Sequence, residues 1–148
     1  MWFDWATDSV LLVCSSEKRP DAQTWSDHCH VIAEGLRRKN FGILVLTDGG
    51  GPTSAQREEL AQATARKRYP IGVVSNASIV RFIVSSIALF NPAIRSFLPA
   101  DWHRALSHVG VAPAEVSAVE RVIRDFAQRP QAERFVVLKS VESSVHSE

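Results

Sequence analysis

The chain has 148 residues, 45% hydrophobic and 22% charged, with a formal net charge of +1. That length holds one domain with a sizeable core and little more, and the composition is that of a globular rather than a disordered protein. The near-neutral balance gives no electrostatic case for nucleic acid or a membrane surface as partner.

In chain order, residues 1–6 are rich in aromatics and end at the turn signal Thr7-Asp8. They are expected to form a short strand, paired as a hairpin with the apolar run 10–14. Asp21 suits an N-cap, and Ala22, Trp25, Cys29, Ile32, Ala33 and Leu36 recur at helical spacing. This first helix is expected to end near Lys39-Asn40. Residues 41–46 are a second run without polar interruption, the mark of a strand covered on both faces and hence parallel. A helix is expected over 53–68, because Thr53 and Gln56 have capping-box spacing and Pro70 breaks it. Residues 71–74 form a third short apolar run. The next helix, expected over 77–90 with Asn76 as cap, is apolar nearly all round apart from a Ser78, Arg81, Ser85 stripe, and such a helix is expected to be largely buried. Residues 94–98 read as a last parallel strand. Pro99 opens a fourth helix closed by Gly110, and Pro113 opens a fifth that ends at Pro130. Residues 1–130 therefore read as a single domain. Residues 131–148 read as an extension, with 134–138 as an edge strand or docking segment and 142–148 frayed.

The elements predict an α/β fold, with a mixed, mostly parallel sheet of four or five strands packed by helices. Two cysteines, Cys14 and Cys29, make no disulfide framework. The N-terminal segment has no basic region followed by a long apolar run, and the tract 79–90 is too short to span a bilayer. A cytoplasmic location is the default expectation.

Two segments carry a family resemblance. One is the strand-to-helix junction Leu44-Val45-Leu46-Thr47-Asp48 with Thr53-Ser54 after it. The other is Ile94-Arg95-Ser96-Phe97-Leu98-Pro99, leading into a helix through Trp102 and Leu106. With the element order, they make residues 1–110 resemble the STAS domains of anti-sigma-factor antagonists, the SpoIIAA-like fold. The resemblance implies a non-catalytic regulatory module. It also implies that a hydroxyl at the start of the helix after the central strand, here Thr53 or Ser54, is phosphorylated. The spacing departs from the family pattern, since three glycines and a proline separate Asp48 from Thr53.

The loop 48–54 is the candidate site, because open α/β sheets carry function at the carboxyl ends of their strands. Gly49, Gly50 and Gly51 either form an anion-binding nest with the amides of Thr53, Ser54 and Ala55, or make a tight turn capped by Thr53. Asp48 would repel an anion; it would instead hold a cation or cap amides. Arg57, on the following helix, and Arg81, reaching toward Asp48, complete the candidate set. His28, Cys29 and His30 point to different faces of a helix and do not converge on a metal. The two histidines are expected in solvent and Cys29 in the core. No metal or other cofactor is expected, and no nucleophile elbow is present, so no catalytic residue is assigned. The sequence thus predicts an adaptor that binds a protein partner through residues 48–54. The alternatives are a small-ligand or anion site using that loop and the cleft beside the third helix, and a flavodoxin-like enzyme. The oligomeric state stays open, a homodimer included.

Overall fold

Three apolar runs set the sheet. β2 (Val10–Ser15) is buried along its whole length, and β3 (Gly42–Thr47) nearly so. β4 (Ile71–Val74) continues the set, β1 (Trp2–Trp5) adds one antiparallel edge, and β5 (Ile94–Phe97) forms the other edge. The computed structural model describes residues 1–89 and 91–147. It shows an α/β fold with a five-stranded mixed sheet in the sequential order β1-β2-β3-β4-β5. β1 and β2 are antiparallel and the other pairs parallel, in a register that aligns Leu11, Ile43, Ile71 and Ile94 across four strands.

A sheet that grows in one direction through right-handed crossovers keeps its connecting helices on one face. Those helices are α1 (Ala22–Gly35), α2 (Ser54–Ala63) and α3 (Ser78–Ala88). The order never reverses, so the doubly wound, flavodoxin-like alternative is not the topology formed. The opposite face is covered by α4 (Trp102–His108), α5 (Val116–Ala127) and α6 (Val136–Val145). There Val10, Leu12, Leu44, Leu46 and Val74 pack against Trp102, Leu106, Ile123, Phe126, Phe135 and Leu138, all essentially without exposure. Gly72 allows α4 to approach, since a Cβ there would meet Val109 and Ala105 at 3.2 and 3.4 Å.

Several boundaries differ from expectation. The first helix stops at Gly35, and the chain turns through Asn40 at φ 59°. Arg38, just after it, stacks 3.6 Å over the Trp5 ring and donates to the Asp8 carbonyl. The second helix ends five residues early in a Schellman arrangement: Ala65 N–H donates to Gln62 O, and Arg66 N–H to Ala61 O. Ala65, at φ 49°, occupies the left-handed position that glycine usually fills. The third helix begins at Ser78 after Ala77, and Asn76 bonds Ser140 instead of capping it. Its expected end at residue 90 lies outside the described residues.

The largest correction concerns the tail. Residues 136–145 are the helix α6, not an edge strand, and Phe135, Val137, Leu138 and Val141 are core residues. Of the segment expected to be frayed, residues 142–145 continue α6, and residue 148 lies outside the described residues. Phe135 sits 5.7 Å from the Phe126 ring, which in turn stacks on Trp2 at 3.7 Å. Phe135→Ala is therefore expected to destabilise the whole domain by about 3–5 kcal/mol. Urea denaturation followed by tryptophan fluorescence measures this. A change under about 1 kcal/mol would mean that α6 is not part of the cooperative core.

A candidate cleft between the second and third helices

The two faces of the sheet are covered unequally. α2 buries no residue, and Leu60 is the α2 side chain packed against the core on this face. It is held at its start by polar bonds: the Trp25 indole donates to Gln56 O at 2.8 Å, Gln56 donates to Pro20 O at 3.0 Å, and Thr53 and Gln56 form the expected capping box. α3 buries Val84 and no other residue, which corrects the expectation of a largely buried helix. Ile79, Phe82 and Leu89 are 63%, 69% and 81% exposed.

Between these helices lies a cleft of about 380 Å³, within the size range of small-molecule sites. Its floor is the sheet itself, through Ile43, Val45, Ile71 and Val73. One wall is α3, through Val80, Ile83 and Ile87. The facing wall carries Trp25, His28 and Ile32 from α1, with Arg57 and Leu60 from α2. Ser15, Thr47 and Gly49 to Pro52 close it at the carboxyl ends of the strands.

The candidate residues of the loop separate into two groups. Gly49, Gly50, Gly51 and Arg57 line the cleft; Asp48, Thr53, Ser54 and Arg81 do not. Asp48 turns to the other face of the sheet. Its two carboxylate oxygens accept from Val136 N–H and Val137 N–H at 2.7 Å each, capping α6 across 88 residues of sequence. Thr53 N–H donates to Gln56 Oε1, Gly50 N–H to Ser16 O and Gly49 N–H to Thr47 Oγ1. Few amides of the triple-glycine turn are thus left for an anion nest. Gly50 is required sterically, since a Cβ there would meet Ser16 O and Lys18 O. Ser54 is exposed, and its Oγ accepts from Arg57 at 3.1 Å. Arg81 donates to Ser75 O at 2.9 Å and does not reach Asp48. With Arg95, Asp101 and Arg104 it lines a separate open hollow of about 410 Å³ at the β5 edge.

His28 is the side chain that the sequence misplaced. It is buried rather than solvated, 6% exposed, packed between the Phe3 and Trp25 rings with neither ring nitrogen hydrogen-bonded. Burial pushes its pKa down to about 4, so it is neutral at pH 7. Cys29 is buried as expected, and burial, with Glu59 nearby, raises its thiol to about 11. Cys14 lies on the opposite face, where burial and then the charge of Asp48 hold its thiol protonated; a protonated thiol is a poor nucleophile. Among the described residues no group of three or more His, Cys, Asp or Glu is placed to hold a metal ion. Nor is any helix among them long and apolar enough to cross a membrane.

The sequence placed a candidate cleft beside the third helix and next to the loop, but not the sheet residues of its floor or the α3 side chains that line it. The signal was present: α3 is apolar on more faces than one sheet can cover, while α2 supplies almost nothing to cover it. No protein-family model matches the chain, and comparisons with curated proteins and with solved structures gave no match.

Two outcomes follow from these contacts. Asp48→Ala removes two charge-assisted bonds and is expected to cost about 1–2 kcal/mol. Hydrogen exchange checks the location: the amides at the start of α6 should lose protection before the strands do. His28 stays neutral in the folded chain down to about pH 4, whereas the unfolded chain protonates it near 6.5. The unfolded state then binds more protons between those values, so stability falls as pH drops through that window, by up to about 3 kcal/mol from this group. His28→Phe is expected to flatten that slope and to raise stability at pH 5 relative to the parent. Parallel pH profiles for the two proteins would refute it.

Proposed function

We propose that this chain is a non-catalytic binding domain that takes up a small apolar molecule in the cleft between α2 and α3. The observation that carries the reading is the floor: Val45 and Ile71, core-type side chains of central strands, remain only partly buried because no helix covers them. Apolar surface that the fold leaves uncovered gains by transfer out of water, at about 25 cal/mol per Å². The few polar groups at one end would orient the occupant, as in small-molecule sites generally. A kinship with STAS domains belongs to the same proposal, supported by the strand order and by the helix after the late strand.

A second reading, an adaptor for a protein partner, is favoured by the outward side of α3. There Ile79, Phe82 and Leu89 form an exposed apolar patch of the kind that marks interaction surfaces. Phosphorylation at Thr53 or Ser54 would belong to that reading.

The test uses N-phenyl-1-naphthylamine, an apolar probe that brightens out of water. Saturable binding is expected, with quenching of Trp25. Ile87→Trp, which fills the cleft from a 44% exposed position, is expected to weaken binding about tenfold or more with the thermal midpoint little changed. Phe82→Asp on the outer side should leave probe binding intact. Failure of the probe to bind, or indifference to Ile87→Trp, would sink the cleft reading.

A further inference from the structure

The cleft is polarised along its length. At the carboxyl ends of the strands it is lined by Ser15, Thr47, Gly49 to Gly51 and Arg57. At the opposite end the lining is Ile43, Ile71, Ile87 and Ile94, with the Tyr69 ring. Ile43, Ile71 and Ile94 lie side by side in register across three strands, so the apolar end is a continuous surface.

The charge is equally one-sided. Among the described residues no Asp or Glu lines the cleft, and Arg57 is the one permanently charged side chain that does. Among the described residues no carboxylate pairs with Arg57; its guanidinium reaches only Ser54 Oγ at 3.1 Å and Pro52 O at 3.5 Å. Guanidinium groups favour carboxylate and phosphate as partners. Thr47 Oγ1 accepts from Gly49 N–H and keeps its own proton to donate. Ser15, buried beside it, makes no side-chain hydrogen bond among the described residues.

We propose that the ligand is a linear amphiphile with a single anionic head, held by Arg57 and the Ser15 and Thr47 hydroxyls, its unbranched chain lying over Val45, Ile43 and Ile71 toward Ile94. The inference rests on the apolar-cleft reading and adds the charge and direction of the occupant. A carboxylate or a phosphate ester supplies the same head chemistry.

The experiment is a calorimetric titration of the full chain with dodecanoate, dodecyl phosphate, dodecanol and dodecyltrimethylammonium, each below its micelle-forming concentration. At least one anion is expected to bind about tenfold tighter than dodecanol, and the cation weakest. A preference for either anion supports the proposal and tells a fatty acid from a phosphate-ester source. Shortening the better anion from twelve to ten carbons should weaken it about tenfold, as burial of two methylenes requires. Arg57→Gln, at an exposed position, should bring the anion to the affinity of dodecanol and leave dodecanol unchanged, while Arg57→Lys keeps most of the preference. Equal binding of dodecanol and both anions, or an Arg57→Gln variant that still prefers the anion, would overturn the head assignment and leave the apolar cleft standing. Absence of saturable binding by all four, or binding indifferent to Ile87→Trp, would overturn both.

Discussion

The structure depends on one imbalance: three helices seal one face of the sheet, and three helices fail to seal the other. On the α4–α6 side, large side chains such as Trp102, Phe126 and Phe135 fill the space over Leu12, Leu44 and Leu46. On the α1–α3 side, α1 packs well through Trp25 and Ile32, while α2 brings only Leu60 and α3 stands over the β5 edge. A parallel strand needs cover on both faces. Where β3 and β4 lack it, the cleft exists.

The sealed face is what makes the open one tolerable. α6 closes the larger core and is itself fixed by Asp48, which reaches from the end of β3 to its first amides. One loop thus serves two faces. Its acid is spent on stability beneath the sheet, and its glycines and the arginine that follows define the rim above it. α2 is pinned at its start from α1 and the segment before it, where the Trp25 indole donates to Gln56 O and Gln56 donates to Pro20 O. The rest of α2 is held by few contacts, and segments with few buried apolar contacts are the ones that open at least cost.

The sheet and its cover were legible in the sequence wherever one period dominated. Uninterrupted runs such as Val10-Leu11-Leu12-Val13 read as buried strands and formed them, and Thr53 with Gln56 announced a capping box that formed as expected. Three features were not legible, each for a physical reason. α2 ends at a Schellman motif whose left-handed residue is Ala65, so the usual glycine mark is missing. Residues 134–138 read as a strand because Phe135, Val136 and Val137 are β-formers; tertiary packing and a cap from Asp48, distant in sequence, start a helix at Val136 instead. His28 read as solvated because periodicity does not reveal that the Phe3 and Trp25 rings enclose it. The glycine turn pointed to the correct rim of the sheet. The cleft behind it depends on the space between two helices, and no single-segment pattern encodes that distance.

An uncovered apolar floor costs stability in the empty protein, and on the proposed reading the same surface supplies the binding energy. The two are linked: a ligand that binds the folded chain alone stabilises it by RT ln(1 + [L]/Kd), about 2.7 kcal/mol at a hundredfold excess over Kd. That sum is comparable to the contribution of a single large core side chain. Of the titratable groups, His28 lines the cleft as a weak base at its lowered pKa, and the Cys14 thiol lies across the sheet. Occupancy would close the space that α2 and α3 leave open and so couple the rim loop, α2 and the exposed side of α3. On the proposed reading, occupancy changes how firmly α2 and α3 are held, and with it how α3 presents the apolar residues it turns to solvent.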